Sequence, residues 1–123
     1  MTTEVITQYG IPVAVVSSSD PLIFDTQSAL DLAMTVQYDT GCNRIALRKE
    51  HITEDFFDLS TRLAGDVLQK YVNYRVKVAI IGDFSGYTSR ALRSFIYESN
   101  CGKDVFFVPT QEEAVARLSA IPD

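Results

Sequence analysis

The 123-residue sequence predicts an α/β fold: a mostly parallel sheet of about five strands, an N-terminal hairpin and about four helices on its faces. Two observations lead there. Apolar β-rich runs alternate with stretches whose apolar residues recur at helical spacing. The connections between them are short, which implies right-handed crossovers between parallel strands. The exception comes first, where two β-rich runs are separated only by Gly10, the pattern of an antiparallel hairpin or tight reversal.

Val5 to Tyr9 and Ile11 to Val16 are the two hairpin strands. Pro12 has no N–H for a ladder, so it belongs on an edge or near its strand's start. Ser17-Ser18-Ser19-Asp20-Pro21 is turn chemistry, after which Asp25 or Thr26 caps a helix running to about Tyr38 and closed by Gly41. Ala29, Leu30, Ala33, Met34 and Val36 give that helix its apolar face. A short strand lies within Asn43 to Leu47, and the charged loop Arg48-Lys49-Glu50-His51 follows.

Thr53 reads as an N-cap, with Glu54 and Asp55 in a first turn where the helix dipole favours negative charge. A long amphipathic helix to about Tyr71 is expected, burying Phe56, Leu63, Ala64, Val67, Leu68 and Tyr71. Asp58, Arg62, Asp66 and Lys70 would form one solvated, salt-bridged line on its outer face. Val76 to Ile81 is the strongest strand and stops at Gly82-Asp83. The next helix starts between Ser85 and Ser89, turns Leu92, Phe95 and Ile96 inward and ends around Asn100 to Gly102. Asp104 to Val108 is a final buried strand, and Thr110 with Glu112 and Glu113 opens a last helix with Ala114, Val115 and Leu118 inside.

No repeat, low-complexity segment or polar linker divides the chain, so a single domain spanning residues 1–123 is expected. The size scaling gives a folded surface of roughly 6,600 Å², about one third of that of the extended chain. Such a core needs no disulfide or metal. Sixteen acidic against eleven basic residues leave a net charge of −5, which repels nucleic-acid backbones and anionic lipid. A composition of 46% hydrophobic and 22% charged residues is that of a soluble globular domain, and no long apolar run points to a membrane. A cytoplasmic location is expected, with Cys42 and Cys101 as free thiols in or near the interior. Neither cysteine belongs to a ligand cluster, so no metal or cofactor is implied.

In an open parallel sheet, ligands bind beyond the carboxyl ends of the strands. That rim would gather Ser17, Ser18, Ser19 and Asp20, then Arg48, Lys49, Glu50 and His51, then Asp83, Ser85 and Thr88, and lastly Thr110. Gly82 to Arg90 could present N–H groups to an anion, although it matches neither a Walker A loop nor a nucleophile elbow. His51, the single histidine, reads as a surface residue without catalytic duty, because no paired nucleophile and orienting carboxylate are legible. Whether Phe57 and Tyr87 are core or an exposed contact patch is open at this level.

Ser28-Ala29-Leu30-Asp31-Leu32, Glu54 to Thr61 and Phe95 to Asn100 carry a resemblance. The chain resembles the bacterial family catalogued as domain of unknown function 4180. More distantly, its element order is similar to that of the STAS domains of sulphate transporters and anti-sigma-factor antagonists. That likeness implies a STAS-like sandwich acting through a regulatory protein partner. In the antagonist branch a serine at a helix N-terminus is phosphorylated; the nearest match here is Asp58-Leu59-Ser60-Thr61, which makes Ser60 the phospho-acceptor candidate. The Thr53 cap would set Ser60 a turn or two inside the helix. The leading expectation is thus a non-enzymatic interaction module, either monomer or homodimer. The alternatives are a small-molecule or anion sensor at the rim, and a hydrolase or transferase using His51.

Overall fold

The computed structural model describes residues 1–122. Five strands, β1 (Thr2–Gln8), β2 (Ile11–Ser17), β3 (Arg44–Arg48), β4 (Lys77–Ile81) and β5 (Val105–Val108), form one sheet in that spatial order. β1 pairs antiparallel with β2, and β2 to β5 run parallel. The four helices are α1 (Thr26–Thr40), α2 (Leu63–Asn73), α3 (Arg90–Cys101) and α4 (Gln111–Ser119). The predicted α/β architecture and its N-terminal hairpin are therefore observed. The accessible surface is 6846 Å², close to the scaling expectation.

The hairpin turns through Tyr9 and Gly10, whose φ angles of 56° and 77° are the positive pair that a two-residue type I′ turn requires. Such a turn makes Gln8 and Ile11 a hydrogen-bonded pair, and alternation makes Thr7 and Pro12 a non-bonded one. The missing N–H of Pro12 thus points away from β1, toward a stretch that β3 pairs only from Ala14 onward. This is how an interior strand tolerates a proline.

Alternate residues of the sheet enter two cores. Ala14, Val16, Ile45, Leu47, Val78 and Phe107 pack with α1, α2 and α3, whereas Val13, Val15, Ala46, Ala79, Ile81 and Phe106 pack against α4 alone. Burial on both faces explains the unbroken apolar runs of β2, β4 and β5. The Arg44 guanidinium, 2% exposed, donates to the carbonyls of Leu118 and Ile121 at the end of α4, where the helix dipole favours a cation. On the other face the Tyr71 hydroxyl of α2 donates to the Ala29 carbonyl of α1 at 2.7 Å, and burial pushes this phenol well above its ordinary range.

The predicted caps hold for α1 and α4, where Asp25 and Thr110 each accept an N–H of their first turn, and Ser89, the last residue of the expected start range, caps α3 in the same way. The long second helix does not form. Glu54–Phe57 and Leu59–Thr61 are short 3-10 turns, and α2 begins only at Leu63, after Arg62 in the left-handed conformation (φ 65°). Local side chains compete with the helix here. The Asp58 carboxylate takes the Ser60 N–H, and the Thr61 hydroxyl bonds the carbonyls of Asp55 and Asp58. Thr53 makes no side-chain cap, and Asp58 and Arg62 lie outside the helix, so the predicted charged line loses half its members. The expected buried stripe largely survives: Phe56, Ala64, Val67 and Tyr71 are buried, and Leu63 and Leu68 pack partly buried against the same core. Of the two thiols, Cys42 is buried, but Cys101 at the end of α3 is exposed rather than interior.

Replacing Tyr71 by phenylalanine removes the α1–α2 hydrogen bond and leaves the packing. The free energy of urea unfolding is expected to fall by about 1 kcal/mol. An unchanged value would assign the docking of these helices to apolar contact alone.

Candidate functional site

The carboxyl ends of β2 to β5 open on one rim, and the loops there are tied to each other. A 3-10 turn, Lys49–His51, follows β3 and turns His51 inward, to 8% exposure. The Arg48 N–H lies 3.4 Å from its Nδ1, so Nδ1 is the acceptor and Nε2 carries the proton. Nε2 donates to the Ser18 carbonyl, 3.0 Å away in the loop after β2. The backbone continues this tie. The His51 carbonyl accepts the N–H groups of Leu22 and Ile23 at 2.7 and 3.0 Å, and Thr53 donates to the Ile23 carbonyl at 2.8 Å. His51 is therefore a buried strut between two loops, not the expected surface residue. Its polar sequence neighbours gave no sign of the Ser18 carbonyl, 33 residues away in sequence, that it reaches.

Lys49 leaves the rim for a second tie. Its ammonium sits 4.7 Å from the Tyr87 ring centroid and 3.9 Å from the Glu54 carboxylate. The Tyr87 hydroxyl donates to that same carboxylate at 3.0 Å. Gly82 makes the crossing of Lys49 feasible, since a Cβ there would lie 2.9 Å from Lys49 Cβ. Beneath them Phe57 is buried and stacks on Tyr87 at 5.4 Å, and Phe84 meets Phe107 edge-on at 5.4 Å. Phe57 is thus core, and Tyr87 is half-buried over it. Sequence reading took Glu54 only as a helix-start acid and Gly82 only as a turn residue, and so missed the tie they serve; a glycine directly ending an apolar strand was the available sign of a close approach.

Asp83 and Ser85 form a local turn, with the carboxylate accepting the Ser85 hydroxyl at 2.6 Å and its N–H at 2.9 Å. The hydroxyl first, then the N–H, with a smaller contribution from Lys49, hold the Asp83 carboxyl below its usual range. Asp58 and Ser60 repeat the device at 2.7 and 3.1 Å, with the same direction and cause. Both turns are exposed.

An open cleft of about 510 Å³ lies at the ends of β3, β4 and β5. Arg48, Glu50 and Asp83 line it above Phe84 and Phe107. Of the predicted rim residues the fold brings Arg48, Glu50 and Asp83 to this cleft. Ser85 serves the Asp83 turn, and the exposed Asp20 and Thr88 do not line the cleft. Ser60 stands apart, three residues before α2. No cluster of histidine, cysteine and carboxylate residues suited to a metal occurs among the described residues, and no helix there is long and apolar enough to cross a membrane.

A family model described as a domain of unknown function (DUF4180) matches residues 8–118. The chain belongs to the DUF4180 family. Every rim loop described above lies within the matched span, so the His51 and Lys49 ties fall inside the DUF4180 region. No curated protein matches the chain.

His51→Ala is expected to lower stability by about 1 kcal/mol, because it removes the bond to the part-buried Ser18 carbonyl, and to speed amide exchange at Leu22 and Ile23. Unaltered exchange there would remove His51 as the strut.

The Lys49–Tyr87 tie also makes a prediction about alkaline pH. Burial first, then Glu54, raises the Tyr87 phenol above its ordinary 10.0, against the opposing pull of Lys49. Contact with the Tyr87 hydroxyl, opposed by burial and aided by the charges of Tyr87, Glu54 and Glu50, raises the Lys49 ammonium above 10.5. Both groups hold more protons folded than unfolded in the window above these values. Their contribution is complete below pH 10 and is lost as pH climbs through the raised values. Tyr87→Phe should therefore flatten the alkaline fall of the urea midpoint; parallel curves would show that the tie does not titrate.

Proposed function

We propose that the chain is a non-enzymatic, STAS-like regulatory module that binds a protein partner through the Asp58–Thr61 turn and the start of α2, with Ser60 as its phosphorylation switch. The observation that carries this reading is the position of Ser60. Its hydroxyl is exposed, held by Asp58 in a turn that ends just ahead of α2, and not enclosed within a helix. The order of elements on which the STAS comparison rests is also the order found. Phosphorylation would replace the hydroxyl donor by a dianion beside the Asp58 carboxylate. Repulsion would open the 3-10 turn, while the first amides of α2 favour the new charge nearby. The partner would then meet a different surface in the two states.

A second reading, a small-molecule sensor, rests on the cleft at Arg48 and Asp83. One guanidinium faces two carboxylates over an aromatic floor, which suits a small zwitterion better than a plain anion. The hydrolase or transferase reading has no free imidazole to work with, since both ring nitrogens of His51 are engaged by backbone groups.

Native mass spectrometry of the protein from its own cells separates these readings. A phosphate mapped to Ser60, together with a bound protein that Ser60→Glu no longer retains, is the expected result. An unmodified chain that releases a small molecule on denaturation would overturn it in favour of the sensor.

A further inference from the structure

The two edges of the sheet are finished differently. β5 is only four residues long, and the Asn100 side chain closes it: its amide donates to the Phe107 carbonyl at 3.1 Å, and its oxygen accepts the Phe107 N–H at 2.8 Å. β1 has seven residues, no proline and no lysine, and a single charge, Glu4, so it carries little of what usually keeps an edge from pairing.

The hairpin register tells which of its backbone groups face outward. Gln8, Ile6, Glu4 and Thr2 bond to β2, so Thr3, Val5 and Thr7 direct their N–H and C=O groups away from the sheet. We infer that this edge pairs antiparallel with β1 of a second copy, across a two-fold axis at Val5. Val5 then faces its own counterpart, and Thr3 faces Thr7 of the second copy. All the outward groups meet in hydrogen-bonded pairs, about six bonds in total.

Charge selects the register. Glu4 is the single charged residue of β1, and in this register it lies opposite Ile6 of the second copy. A shift by two residues toward the N-terminus would set Glu4 directly against Glu4, which is unfavourable. A shift the other way would bring in Tyr9, whose positive φ cannot extend the strand. Thr–Thr pairs and a central Val–Val pair are favourable cross-strand neighbours. The side chains agree. Ile6 packs toward α4, so Val5 stands on the α1 face, where it is 45% exposed, and where Met1 and Phe24, 54% and 59% exposed, line one groove.

This inference is independent of the Ser60 reading, and sedimentation velocity with residue-resolved amide exchange on the intact chain tests it. The expected result is a mass twice that of the chain at high concentration, with the Thr3, Val5 and Thr7 amides gaining protection as the dimer forms. Val5→Pro removes an outward N–H while taking none from the β1–β2 ladder, and should give a cooperatively folded monomer. Should that variant fail to fold, Val5→Lys serves the same purpose by placing a charge against its own copy. A chain monomeric at every concentration would overturn the inference, as would a dimer whose three odd amides exchange freely. A monomer in which these amides become protected only when another protein's strand is supplied would overturn self-pairing and assign the edge to that protein.

Discussion

A parallel sheet hides both of its faces or it does not form, and in this chain the two faces are covered very unequally. Three helices share one side, whereas the other depends on α4, nine residues long. Ala114, Val115 and Leu118 supply its apolar contact, and Arg44 holds its end through two carbonyls. The buried guanidinium is therefore a structural cation: it donates to carbonyls in and just past the last turn of α4. The order of strands, the position of the rim and the exposure of β1 all presuppose that this thin cover stays in place.

At the rim, most polar side chains that invite a functional reading are engaged in holding loops. His51 and Lys49 tie loops from different strands together, whereas Asp83–Ser85 and Asp58–Ser60 shape single turns. The distinction bears on function, because a group that joins two loops cannot leave without loosening both. A hydroxyl in an exposed turn can change its chemistry at little cost to the fold. Ser60 belongs to the second kind and His51 to the first.

Much of the fold was legible because its signals are local. Asp25 before and Gly41 after α1, Ser89 before α3 and Thr110 before α4 announce helix ends through the chemistry of one or two residues. The same logic failed at Thr53, where a plausible cap with two acids was outweighed by Asp58, Ser60 and Thr61, each able to bond the backbone in a non-helical way. The buried stripe was still correct, since apolar residues reach the core whether a helix or two tight turns deliver them. The site was less legible because its ties span long sequence separations. Nothing near His51 names Ser18, and nothing near Tyr87 names Glu54.

The dependence of one face on α4 has a consequence for synthesis. Chains are made from the N-terminus, and elements can assemble only after they emerge. The strands and the first three helices precede α4, so the apolar row from Val13 through Phe106 to Val108 stays bare until α4 packs on it. Over that interval the nascent protein carries an uncovered hydrophobic surface of the kind chaperones recognise.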